Sequence, residues 1–407
     1  MNKDKQILRS LACRYFEIIN SDTNRDNIKL HKCVNDLKPV RPIVLIDEIP
    51  WHEMNINGEL DCKCEDEHCK NIEWLFRMLI FKWEHMPADM VFAPYFPVRK
   101  HINLSDSGYN TMPEEHDSNA QAYRFIDQFT CEDDLEKIKF QTVTYDSDAT
   151  WQDYNFIGDL FGDILPLKLV GEATGYGMGC APWDTIVWLR GLDNLFTDLI
   201  EKSEFMHKMV KRLTDVFIDK VRQYDEQGLF DGDAYYLHST SALTDDLKPD
   251  YTHVRAKDVW GRGLAQIFAS VSPQMHDEFD IQYMIKAMEH FGLVYYGCCE
   301  PLDKKIHIVE KIPNLRKISI TPWANIEAAA EIMQNRYVVS AKPNPASLAE
   351  NTLNSGNVRK ELEHIVNTCA KNNSPCEIVL KDITTVGGNP QNLFDWVKIA
   401  KEVIGGK

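Results

Sequence analysis

The 407-residue chain contains no run approaching the ~18 consecutive apolar residues that a membrane span requires. Its first residues, MNKDKQILRSLACRYFEII, hold no apolar signal core, and no small-residue cleavage site follows. Both absences predict a cytoplasmic, reducing setting, in which the eleven cysteines are thiols, not disulfides. Basic residues are in deficit, with 45 Lys and Arg against 62 Asp and Glu and a net charge of −17. That balance argues against a general nucleic-acid binder, which needs clustered cations to neutralise phosphates, and against an anionic membrane surface as partner. No Gly/Ser/Pro-rich linker or low-complexity stretch divides the chain, which favours one domain. What is present is ample apolar material: 44% hydrophobic residues allow a large core and exclude wholesale disorder.

Residues 1–40 read as an N-terminal helical extension, with Leu8, Leu11, Tyr15, Ile18 and Ile19 at helical spacing. Beyond it, eight short apolar runs alternate with helical stretches: 41–48, 89–96, 164–171, 233–239, 292–298, 316–322, 336–342 and 377–383. Several are apolar nearly throughout and rich in Val, Ile and Tyr, as parallel strands buried on both faces are. Glu73–Trp83 and Leu195–Val221 carry amphipathic helical patterns, and Ser272-Pro273 supplies an N-cap followed by a first-turn proline. Eightfold alternation predicts an α/β fold, a (β/α)8 TIM barrel over 41–407. Residues 97–163 exceed a minimal barrel. They are polar, aromatic and weakly periodic, and are expected as a lid-like insertion over the barrel mouth, with a hairpin near 137–148. A solvated excursion with no substrate role fits them equally.

In such a barrel the active site lies at the C-terminal strand ends. The residues expected there include Glu48, Trp51, Tyr95, Glu172, Tyr236, His238, Tyr296, Cys298, Cys299, Glu300 and Trp323. Strand ends seven and eight add Lys342, Asn344, Asp382, Thr384 and Thr385. This ring is acidic, aromatic and sulfur-bearing, with almost no arginine. It suits a cation, a metal or a neutral methylated compound better than a polyanion. Glu48, His238 and Glu300 are the candidate catalytic groups. Trp51, Tyr95, Glu172, Tyr236, Tyr296 and Trp323 are the candidate substrate walls.

The stretch Tyr295-Tyr296-Gly297-Cys298-Cys299-Glu300 delivers two thiols and a carboxylate to that face. Cys298, Cys299 and Glu300 are therefore candidate ligands for zinc, which takes sulfur, imidazole and carboxylate donors. Neighbouring strand residues point to opposite faces, so both thiols reach one side only if the strand has ended. The alternative is one core cysteine and one that merely lines the pocket. The cluster Cys62, Cys64, His68, Cys69 lacks paired C-x2-C spacing and reads as coincidental. The glycines at 171, 175, 177 and 179 follow a strand, but lack the Walker lysine and the dinucleotide spacing, and read as a pocket wall.

Four stretches between about 160 and 400 together resemble the uroporphyrinogen decarboxylase superfamily, which includes cobamide-dependent methyltransferases. They are the helical segment from Trp188 to Asp215, Trp260-Gly261 with Ser272-Pro273-Gln274-Met275, the strand ending Gly297-Cys298, and Lys342-Pro343-Asn344-Pro345 before the helix from Asn357. The resemblance implies the barrel, a small methylated substrate, a separate corrinoid protein as partner carrying the corrinoid cofactor, and zinc. A homodimer is compatible with it. Two departures stand out. Asp47 and Glu48 lie where the decarboxylases use arginines. Tyr296 occupies the histidine of the zinc enzymes' His-x-Cys, and no cysteine lies near Thr384–Gly387, while Cys376 is at the opposite strand end. A metal-free decarboxylase or lyase, and a non-catalytic ligand-binding barrel, are the other readings.

Overall fold

The computed structural model describes residues 3–112, 125–172 and 179–405. The chain opens with α1 (Lys3–Ile19) and α2 (Asp22–Asn35), the expected helical extension. Eleven strands follow among the described residues: β1 (Ile43–Ile46), β2 (Phe96–Arg99), β3 (His101–Leu104), β4 (Val143–Asp146), β5 (Leu167–Val170), β6 (Gly179–Cys180), β7 (Trp260–Gly263), β8 (Leu293–Tyr296), β9 (Leu315–Ile320), β10 (Val338–Ala341) and β11 (Cys376–Leu380). Seven form one parallel sheet in the order β1-β11-β10-β9-β8-β7-β6. Helices connect the successive parallel strands, which makes this a mixed α/β fold with a mostly parallel sheet.

The sheet is buried on both faces, for different reasons. Strand alternation puts Val294, Tyr296, Ile318, Ile320, Val339, Ala341, Ile378 and Leu380 on one face. These join the main core with Met284, Ala329, Leu362 and Trp396 from the surrounding helices. The opposite face carries Tyr295, Lys317, Ser319, Ser340 and Glu377, all buried. Register brings Tyr295 beside Lys317 and Ser340 beside both Ser319 and Glu377. The Lys317 ammonium donates to Glu377 Oε2 at 2.8 Å, Thr240 Oγ1 at 2.8 Å and the Ser241 carbonyl at 2.8 Å, and the Thr240 hydroxyl donates to Glu377. A buried ion pair survives only with its remaining valences filled this way.

Five of the eight expected runs lie in this sheet: 41–48, 292–298, 316–322, 336–342 and 377–383. The run 164–171 supplies β5, which pairs in parallel with β2 outside it. Residues 89–95 are not a strand, and strand structure begins at Phe96. The run 233–239 forms only an isolated bridge, Tyr236 to Ser241, because the chain turns at Ser239 with φ +60°. Conversely, β7 was unexpected, since Trp-Gly-Arg-Gly is poor strand sequence. Its glycines are needed for close packing. A Cβ at Gly261 would lie 2.6 Å from the Phe291 ring, and one at Gly263 2.8 Å from Met284 Sδ.

Within 97–163, β4 pairs antiparallel with the distant β3, not in a local hairpin. The helix α3 (Ser147–Phe161), preceding the end of this segment, buries Ile157, Leu160 and Phe161 with Leu8, Ala12 and Tyr15 of α1. All eleven cysteines are free thiols. No helix among the described residues is long and apolar enough to cross a membrane.

Candidate active site

The site begins where β8 ends. Gly297 has φ +100°, a left-handed backbone that favours glycine, and a Cβ there would sit 2.7 Å from Leu302. This turn breaks strand alternation and lets adjacent thiols face the same side, with Cys298 and Cys299 Sγ atoms 3.5 Å apart. Glu300 holds the turn. Its Oε2 accepts from the Cys298 N–H at 2.9 Å and its Oε1 from the Ala265 N–H at 3.2 Å. Ser319 Oγ donates to the Cys298 carbonyl at 2.8 Å. Complete burial pushes the Glu300 carboxyl up to about 7, with the Cys298 charge adding to the effect.

Three other segments close around the thiols. Cys298 Sγ lies 3.8 Å from His238 Nε2 and 3.7 Å from Lys381 Nζ, just beyond β11. Glu48, just beyond β1, lies 3.6 Å from His238 Nε2 and 3.5 Å from Lys381 Nζ. Glu48 Oε2 also accepts the Asp382 N–H at 3.0 Å, and Asp382 Oδ2 lies 3.2 Å from Lys381 and 3.7 Å from Cys299 Sγ. Glu48, Ser239 and Asp382 all have left-handed backbones, with φ of +50°, +60° and +56°. Three strained non-glycine residues around one thiol are the clustering expected of a functional site.

The electrostatics follow from this geometry. The hydrogen bond from Cys299 pulls the Cys298 thiol down to about 3 against burial, helped by His238 and the Lys381 charge. The same bond, with burial, pushes Cys299 far above its usual range. Burial alone would lower Lys381, but the Cys298, Asp382 and Glu48 charges hold it above its ordinary value. Burial raises Glu48, opposed by Lys381. The arrangement is a thiolate flanked by an ammonium, an imidazole and a thiol donor.

This cluster forms one wall of a cavity of about 320 Å³. Cys298, Cys299, Lys381 and Asp382 line that wall, with Thr321, Trp323, Lys342, Asn344 and Thr385 elsewhere around it. Trp323 is 72% exposed, an aromatic face at the cavity mouth.

The structure thus brings Glu48, His238, Cys298 and Cys299 together as one cluster, with Trp323 on the cavity wall. Glu300 supports them from beneath, wholly buried. Lys342, Asn344, Asp382, Thr384 and Thr385 line the cavity as expected, whereas the other expected wall residues lie elsewhere. Tyr296 is buried on the helix-facing side, its hydroxyl 2.6 Å from Asp280 Oδ2 and 2.7 Å from His276 Nε2. Tyr236 exchanges hydrogen bonds with the Val91 backbone at 2.8 and 3.0 Å. Trp51 packs edge-on against Trp74 and Phe81. Tyr95 carries Lys168 over its ring at 5.0 Å. Glu172 is half-buried, and its backbone bridges to Phe230. Most of the glycine-rich loop, residues 173–178, lies outside the described residues. No described residue of 97–163 lines the cavity.

Lys381 is the residue sequence reasoning missed. Its signal was available, since Glu377, Val379 and Lys381 share one face of a strand by alternation. Among the described residues, no three His, Cys, Asp or Glu side chains converge to hold a metal ion. Lys381 already places a positive charge against Cys298, so the donor set as arranged does not fit the expected zinc centre.

No protein-family model matches the chain, and no curated protein sequence does. Among solved structures it is similar to a methyltransferase from Methanosarcina mazei, with a TM-score of 0.52 and 12% identity over 92% of this chain and 98% of that one. At that identity the likeness concerns the fold.

Proposed function

We propose that this chain is a methyltransferase built on a (β/α)8 barrel of the uroporphyrinogen decarboxylase type, moving a methyl group between a small methylated substrate and a corrinoid carried by a partner protein. The observation that carries the reading is the Cys298 sulfur, held among Lys381, His238 and Cys299 at the wall of a cavity with an aromatic mouth. The sequential order of seven parallel strands supports the barrel, and the fold likeness to a protein named as a methyltransferase supports the reaction class.

The corrinoid, when docked, supplies a cobalt that gives or takes the methyl group. The chain's own residues manage the heteroatom that loses or gains it. As a methyl group leaves, that heteroatom gains an electron pair. The Lys381 ammonium, a donor at the cavity wall, stabilises the developing charge. The Cys298 thiolate keeps Lys381 protonated and fixes the Cys299 proton. Glu48 and His238 fix the thiolate from the far side. Docking of the partner over Trp323 excludes water from the mouth. No step passes through zinc.

The test is methylcobalamin supplied as methyl donor to the purified chain with small thiols, amines and phenols as acceptors, products being read by mass spectrometry. Methylated product that requires both chain and corrinoid is expected. Release of carbon dioxide from carboxylated substrates without corrinoid would replace this reading with a decarboxylase. Tight ligand binding without any turnover would replace it with a binding protein.

A further inference from the structure

We infer that the cavity carries a subsite for one oxyanion, the carboxylate, sulfonate or phosphate end of the substrate, built by Lys342 and Thr321. Neighbours in register, Ile320 opposite Ala341, place these two residues side by side as β9 and β10 end. Both line the cavity that Cys298 faces.

Each has an unmet requirement. Lys342 is 6% exposed, and its ammonium donates to the Tyr295 hydroxyl at 3.1 Å, the Ser340 carbonyl at 3.1 Å and Ser340 Oγ at 3.0 Å. Its donors are engaged, but by neutral acceptors alone. The neighbouring buried lysines differ: Lys317 is paired with Glu377 at 2.8 Å, and Lys381 with Asp382 at 3.2 Å and Glu48 at 3.5 Å. Lys342 makes no ion pair among the described residues, so its charge is uncompensated in a place where an isolated charge is costly. Thr321 is 4% exposed, and its Oγ1 is buried without a partner among the described residues. A buried hydroxyl in that state forfeits a hydrogen bond it could make. One ligand group relieves both: an oxyanion accepts from Thr321 and neutralises Lys342.

On the same lining, Cys298 and Asp382 already balance the Lys381 charge, so that part of the cavity offers an anion no unpaired cation. A substrate with its oxyanion at Lys342 therefore presents its other end to Cys298 and Lys381. Resting on the methyl-transfer reading, this names the substrate class: a small molecule with an oxyanion at one end and a methylated heteroatom at the other. A single anionic end is compatible with a rim poor in arginine, which disfavours polyanions only.

The test uses two matched pairs, methoxyacetate with methoxyacetamide and 3-methoxypropionate with its amide, as protectants of Cys298 against iodoacetamide at physiological ionic strength. Alkylation of Cys298, distinguished from Cys299 by peptide mass spectrometry, is the readout. At least one acid should protect at a concentration roughly ten-fold below that of its amide, the scale of a charge-assisted hydrogen bond. In Lys342→Met that preference should vanish. In the nearly isosteric Thr321→Val, which leaves the charge in place, it should shrink several-fold. Acids no better than amides in the wild-type protein, or a preference unchanged in both variants, overturns the subsite. No corrinoid enters this experiment, so failure of methyl transfer would leave its outcome standing. Failure here would leave methyl transfer of neutral substrates standing.

Discussion

Replacing Lys381 with Met removes the cation 3.7 Å from the Cys298 sulfur. Two unit charges at that separation interact by about 4 kcal/mol at an effective dielectric of about 20, an upper figure for a group at a cavity wall. Opposite charges at such distances move a pKa by about 1 to 3 units, or about 1.4 to 4 kcal/mol. The thiol is held down to about 3 in the intact protein, so the thiolate is fully formed across the whole neutral range. Cys298 alkylation by iodoacetamide should therefore be flat from about pH 5 to pH 8. In Lys381→Met the inflection should move up toward or into that window, and Lys381→Arg should restore a flat profile. The stability contribution has a definite sign. A thiol depressed in the folded state binds fewer protons than in the unfolded chain. Its contribution is complete above the unfolded value and is lost as pH falls from about 9 through about 3. A wild-type inflection near the ordinary ~8.5, or a Lys381→Met inflection no higher than the wild-type one in a titration carried down to about pH 3, would refute the proposed charge arrangement.

Lys317→Met should cost about 3 to 5 kcal/mol in urea denaturation, because it strands the wholly buried Glu377, and Lys317→Met/Glu377→Leu should recover most of the loss. Glu300, raised to about 7 by burial, binds more protons folded than unfolded between its ordinary ~4.3 and that value. Its contribution is complete below ~4.3 and lost as pH rises through about 7, amounting to about 4 kcal/mol. Glu300→Gln should correspondingly flatten thermal stability between about pH 5 and pH 8. Trp323→Ala should change stability by less than about 0.5 kcal/mol, because the ring is exposed, while weakening substrate protection of Cys298 several-fold.

The parts legible in the sequence share a cause. A strand that ends in glycine followed by polar residues announces both its face and its end. That is why the Gly297-Cys298-Cys299-Glu300 turn was legible, and Glu48 followed from the acidic end of an apolar run; His238 reaches the same site although its run forms only an isolated bridge. Side-chain parity was not legible where two like residues are adjacent. Tyr295 and Tyr296 read alike, yet one faces Lys342 and the other faces Asp280 across the sheet. The strand β7 was hidden because close helix packing demanded glycines that depress strand propensity. Lys381 could be assigned a face by alternation but not a burial, because a lysine closing an apolar strand pattern reads as a terminus pointing to solvent. Only the carboxylates and thiolate contributed by other segments explain its burial.

The central claim is that the Cys298 face performs methyl transfer to or from a corrinoid. The most direct measurement is a single turnover on mixing the chain with a reduced corrinoid protein and a methylated substrate, followed by the absorbance of the cobalt. Wild-type protein should convert the reduced corrinoid to its methylated form, and Cys298→Ala should abolish that conversion while remaining folded. Full conversion by Cys298→Ala would contradict the account.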